Sequence, residues 1–173
     1  FGTDDTNTSV YMPFYCGMTE IPRELGHGDI NTFSMDSNFW MTNWVANQAY
    51  NRYDLMIPDI RKVQNRLEDK FRDGRKAQDS KLEALVKGGD TDAYRKAVNS
   101  EGAAVAKEAT DSYRDLAQYL LVKFMDGNMK KTDADGNFIK SEYNMPVYPS
   151  FPGYDKKYYE NIVRETGDHF LIP

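Results

Sequence analysis

Cys16 is the one thiol in this 173-residue chain. It follows TSVYMPFY and opens the glycine-containing loop CGMTEIPRELGHGDIN. A cysteine placed there can serve as a nucleophile if a base lies within reach and the thiolate is activated. The histidines are His27 and His169, and neither spacing to Cys16 argues for a dyad. The bland alternative is a small apolar residue that packs and does nothing else.

Asp133-Ala134-Asp135-Gly136 invites a calcium-loop reading. With Gly136 at the sixth loop position, Asp133, Asp135 and Glu142 fall on the third, fifth and twelfth. Lys131 then falls on the first, where an acidic oxygen is required, so a β-hairpin turning at Asp135-Gly136 is the better expectation. Glu24, His27 and Asp29 lie close in sequence, yet no ligand pair stands at helical spacing and a zinc site is not expected. The chain contains no GxSxG, HExxH, phosphate loop or GxGxxG. Basic residues across 61–76 alternate with acids and read as a solvated face, not a nucleic-acid patch.

The elements that must position these groups centre on residues 34–71. The first half of that stretch carries Phe39, Trp40, Trp44, Tyr50 and Tyr53, on several faces of one helix capped by Asp36 or Ser37. Such a helix is expected to be buried between layers, with Asn43, Asn47 and Gln48 needing internal partners. Its aromatics could stack sugars, but core packing is the expectation. Met56, Ile60, Val63, Leu67 and Phe71 then recur at helical spacing. Pro58 predicts a kink or restart, with Pro58 near the first turn of a helix running to about Lys87. Gly88-Gly89-Asp90 predicts a stop, and Thr91 or Asp92 the next cap. Val98, Gly102, Val105, Ala109, Tyr113, Leu116, Leu120 and Phe124 form a second stripe, predicted to pack antiparallel on the first. The small residues at 102–106 permit a close approach or a bend. Thr8–Tyr15 reads as a strand, with Pro13 at an edge, bulge or end. Asn128–Lys140 reads as the β-hairpin, Asn144–Gly153 as an extended proline-rich segment, and Asp155–Glu165 as a short helix ended by Gly167.

The formal net charge is −5, so no global field favours nucleic acid. Hydrophobic residues make up 40% and charged residues 28%, which suits a folded chain. No apolar run reaches the roughly 20 residues that span a bilayer as a helix. The chain opens FGTDDTNTSVYMPFY, without Met and directly into strand-like sequence. It is therefore expected to be a piece of a longer protein, and neither its start nor one cysteine speaks to compartment.

YMPFYCGMTEIP and SNFWMTNWVANQAYNRYDLMIPDIRKVQ resemble the C-terminal half of the bacterial cysteine dipeptidases of the dipeptidase A type, within the N-terminal-nucleophile hydrolases. The closing FPGYDKKYYENIVRETGDHFLIP and the opening FGTDD resemble that family as well. The resemblance implies an αββα hydrolase in which an N-terminal cysteine, freed by processing, attacks a dipeptide carbonyl with its own α-amine as base. No cofactor or metal is implied. This chain begins with Phe1, so no catalytic role is carried onto any residue here. Cys16, Gly17 and Thr19 are candidates to line the substrate pocket. The expected class is α+β and predominantly helical, one domain fragment: strand and long loop at 1–35, kinked helix and antiparallel return helix at 36–126, and hairpin, extended segment and closing helix at 127–173. The expected partners are the missing N-terminal part and a dipeptide substrate, with no nucleic acid and no membrane. A strand without neighbours predicts self-association into a homo-oligomer. A helical protein-binding module and an aromatic-lined sugar-binding domain are the alternatives.

Overall fold

A computed structural model describes residues 1–147, 150–167 and 169. Among the described residues five α-helices follow one another: α1 (Arg23–Gly26), α2 (Asn38–Asn51), α3 (Tyr53–Lys87), α4 (Thr91–Lys123) and α5 (Lys156–Thr166). A 3-10 turn spans Met125–Gly127. The chain divides into two compact units, Phe1–Leu121 and Val122–Pro173.

The sheet layers expected of an αββα hydrolase are not present among the described residues. No strand forms there; four isolated antiparallel bridges, and a reciprocal backbone pair between Phe1 and Met12 at 2.6 and 2.8 Å, stand in place of ladders. The reason lies in where Thr8–Tyr15 finds its partners. Thr8 and Ser9 close a turn onto the Asp5 carbonyl, and only from Val10 on does the chain run without turn or helix, Val10 and Met12 buried while Tyr11 is exposed, the alternation of a strand. Met12 pairs with the backbone of Phe1, but other polar backbone atoms here meet helix side chains. Arg61 Nη1 donates to the Asn7 carbonyl at 2.8 Å, Gln64 Nε2 to the Ser9 carbonyl at 2.6 Å, and Tyr113 Oη to the Thr8 carbonyl at 2.6 Å. The Tyr11 amide donates to Glu68 Oε1 at 3.0 Å. A buried backbone must be satisfied, but nothing requires the partner to be another strand. Residues 7–19 are thus a strap laid along α3 and α4.

α3 and α4 supply the frame. Lys70 pairs with Glu108 at 2.6 Å and Arg66 reaches Ser112 at 3.4 Å, so the pairing steps forward along α3 and backward along α4. The two helices run antiparallel. Ile60, Leu67, Val98, Ala109 and Leu120 are fully buried along the two stripes, each large aliphatic side chain worth roughly 1.5–3 kcal/mol against exposure. Gly88 and Gly89 close the turn, Gly89 at φ 71. The cap of α4 is Asp90, one residue earlier than expected: its Oδ1 accepts from the Ala93 amide at 3.0 Å.

α2 departs from the buried helix the aromatics predict. Ser37 caps it, its hydroxyl accepting from the Trp40 amide at 3.4 Å. Met41, Val45, Ala46 and Ala49 are buried, whereas Tyr50 is exposed, so one face packs and the opposite face meets solvent. Asn38 Nδ2 reaches Thr110 at 3.0 Å and Gln48 Nε2 the Ala117 carbonyl at 3.1 Å, which docks α2 on α4. Asn43 and Asn47 bond to each other at the surface. The chain breaks at Arg52 (φ −149, ψ 66) and restarts at Tyr53. Pro58 is the sixth residue of α3 and sits within continuous helix.

In the second unit the β-hairpin expected at Asn128–Lys140 is reduced to a turn closed by the single bridge Thr132–Phe138. Asp133 organises it, Oδ1 accepting from the Asp135 and Asn137 amides, each at 2.9 Å. Asp133 N–H also donates to the Asn137 carbonyl at 2.9 Å and Ile139 N–H to the Lys131 carbonyl at 3.2 Å, but the bridges stay isolated and form no strand. Asp155 caps α5 through the Tyr158 amide, and Gly167 ends it at φ 59. Tyr148 and Pro149 of the proline-rich segment, and residues 170–173, lie outside the described residues.

Candidate functional site

The strap leaves α3 at Tyr15, whose hydroxyl donates to Asp79 Oδ1 at 2.7 Å. Burial, then that bond to a carboxylate, pushes its pKa up to about 12. The backbone then turns, the Met18 amide returning to the Tyr15 carbonyl at 3.1 Å. Cys16 lies in this turn and is exposed.

Two glycines set how closely the strap docks on α4. A Cβ on Gly17 would stand 2.2 Å from the Tyr94 ring, and one on Gly102 would stand 2.2 Å from Met18 Cε. Real side-chain carbons do not approach so closely, so Gly17 admits the Tyr94 ring and Gly102 admits Met18. The close approach expected of residues 102–106 is seen at Gly102, and against the strap.

Thr19 is held by Asn99 of α4. Asn99 Oδ1 accepts from the Thr19 amide at 2.9 Å and the Glu20 amide at 3.3 Å, and its Nδ2 donates to Thr19 Oγ1 at 3.0 Å. One side-chain amide therefore fixes two backbone amides and one hydroxyl, as a strand neighbour would. Thr19 and Glu20 stand between two clefts. One, of about 310 Å³, is walled by Phe1, Phe14, Met18, Ile21, Pro22 and Leu25. The other, of about 440 Å³, is polar, with Asp92, Arg95, Lys96 and Ser100 around it.

Of the sequence candidates, Gly17 and Thr19 are held against α4 while Cys16 faces solvent. Thr19 borders both clefts. Asn99 and Tyr94 are the residues sequence reasoning missed. Asn99 sits beside Val98 in a helix where asparagine is a mediocre former, the only hint that its amide is employed.

The other candidate chemistries resolve locally. Asp29 accepts from the Asn31 amide and from Thr32 Oγ1, which hold its carboxyl below the usual range. Asp133 is likewise held low, by the Asn137 amide first. Among the described residues no three His, Cys, Asp or Glu side chains are grouped to hold a metal. Phe33 sets its ring edge-to-face on both Trp40 and Trp44, centroids 5.7 and 6.0 Å apart, and Trp40 Nε1 donates to the Asp29 carbonyl. The indoles are used in packing. No helix among the described residues is long and apolar enough to cross a membrane.

The model of peptidase family C69 matches residues 1–66. That span holds the strap, α1, α2 and the start of α3, and it relates this part of the chain to peptidases. No curated protein and no solved structure matches the chain.

Proposed function

We infer that the chain is the C-terminal portion of a cysteine dipeptidase whose nucleophile lies outside these 173 residues. The observation that carries this reading is the peptidase-family match over residues 1–66. It accords with Cys16, the one thiol here, being free and exposed. In the complete enzyme an N-terminal cysteine thiolate attacks the dipeptide carbonyl. Its α-amine takes the thiol proton and returns one to the leaving amine, and water then hydrolyses the acyl-thioester. The strap and α4 contribute a wall of the substrate pocket through Thr19, which borders both clefts, whereas Cys16 and Gly17 line neither of them. Neither metal nor organic cofactor takes part.

The test compares dipeptide hydrolysis by this chain with that by the longer gene product containing it. The 173-residue chain is expected to be inactive and the longer protein active. Cys16→Ser in the longer protein is expected to leave kcat/KM within about twofold, as for a group outside the chemistry. Hydrolysis by the short chain, or loss of activity in Cys16→Ser, overturns the reading.

A further inference from the structure

We propose that the cleft beside Thr19 and Glu20 is a specificity pocket: it takes the apolar side chain of a short peptide and reads that peptide's free ammonium group through Glu20. The proposal rests on the dipeptidase reading above and adds to it which residues select the substrate.

Three observations carry it. The first is the wall. Phe14, Met18, Pro22 and Leu25 leave an apolar recess of about 310 Å³, at the lower end of ligand-pocket sizes. Ile21 stands at its edge and is 78% exposed, so apolar surface faces water where a ligand would cover it. A recess of this size suits one aliphatic or aromatic side chain rather than a long peptide.

The second is charge. Glu20 borders both clefts, and its carboxylate makes no ion pair among the described residues. On the far side of Glu20, Arg95 and Lys96 line the polar cleft, and Arg95 is tied only loosely, to Asp92 at 4.0 Å. A zwitterionic dipeptide carries an ammonium group, a side chain and a carboxylate a few ångströms apart. Glu20, an apolar recess and, beside Asp92 in the polar cleft, the cations Arg95 and Lys96 occur around the same two residues; with Asp92 loosely paired to Arg95, Lys96 is left to complement a carboxylate as Glu20 complements an ammonium.

The third is rigidity. Glu20 stands on a backbone that Asn99 fixes through the Thr19 and Glu20 amides, and Met18 is seated over Gly102. The recess is formed before a ligand arrives, which lowers the ordering cost of binding. Asn99 is thus a positioning residue for the pocket.

The experiment is a titration of the 173-residue chain with dipeptides, followed by amide NMR shifts. Leu-Leu is expected to saturate and to move the Thr19, Glu20 and Asn99 resonances. Gly-Gly and N-acetyl-Leu-Leu are each expected to bind about tenfold more weakly, the first lacking the side chain and the second the charge. Glu20→Gln should reproduce the loss caused by acetylation, and Ile21→Asp, at an exposed position that leaves the fold intact, the loss of side-chain preference. Equal binding of Leu-Leu and Gly-Gly, no saturation, or indifference to both variants overturns the pocket. Hydrolysis by the longer protein reports separately on the dipeptidase reading. Activity whose apolar preference survives Ile21→Asp sinks the pocket alone, and binding without any hydrolysis sinks the dipeptidase reading alone.

Discussion

Removing the Tyr113 hydroxyl should weaken the grip of the helices on the strap without touching the core's volume. Tyr113 is fully buried, and its hydroxyl donates to the Thr8 carbonyl at 2.6 Å across 105 residues of sequence. Burial keeps that phenol protonated far above neutral pH, so the bond is present throughout the working range. Tyr113→Phe keeps the ring and opens no large cavity. What it removes is one buried hydrogen bond, and what it leaves is a buried carbonyl short of a donor, together costing about 2 kcal/mol. For a domain of this size that corresponds to a fall in Tm of about 6 °C. Urea unfolding followed by far-UV circular dichroism measures the loss, and amide exchange at Tyr11 and Met12 shows whether the strap is the part released. Tyr50→Phe is the control. Its hydroxyl reaches Asp5 at 3.0 Å on the surface, and its loss should fall within about 0.5 kcal/mol. If Tyr113→Phe is no more costly than Tyr50→Phe, or if its loss leaves strap exchange unchanged, the account of how the strap is satisfied is wrong.

Two further outcomes follow from the same geometry. Gly89→Ala should destabilise the chain by about 1 kcal/mol in urea unfolding, because Gly89 holds φ 71 and a Cβ is penalised there; Gly88→Ala, at φ −77, should cost less. Tyr15 has its pKa raised from 10.0 to about 12. Between those values the unfolded chain loses the proton while the folded chain keeps it, so this group's contribution to stability is intact below about pH 10 and falls as pH rises toward 12. Tyr15→Phe should therefore show a shallower alkaline loss of stability than the parent, and an identical slope would refute the assignment.

Much of the helical frame was legible because it is periodic. The stripes through Ile60 and Leu67 and through Val98, Tyr113 and Leu120 coincide with buried positions, since a 3.6-residue period has one way to hide its apolar side. Gly88-Gly89 announced the turn for the same local reason. The helix break was placed less well. Pro58 signals a lost hydrogen bond, but a proline near a helix start is tolerated, and the chain broke at Arg52 instead. At the site, Gly17 and Thr19 were within reach of sequence reasoning, being in the long loop after the extended run. Asn99 was not, since it acts on residues some 80 positions away.

The sequence by itself determined little more than that the chain is neither helix nor turn from Val10 to Tyr15: β-branched and aromatic composition with Pro13 disfavours helix, while Thr8 and Ser9, also read as strand, form a turn onto Asp5. Only the tertiary structure decided that this extended run does not belong to a sheet. Gln64, Glu68 and Tyr113 stand on helices far along the chain, and each bonds the strap's backbone as a neighbouring strand would. Side-chain alternation is a property of one segment, whereas a backbone hydrogen-bond partner is a property of whatever folds against it.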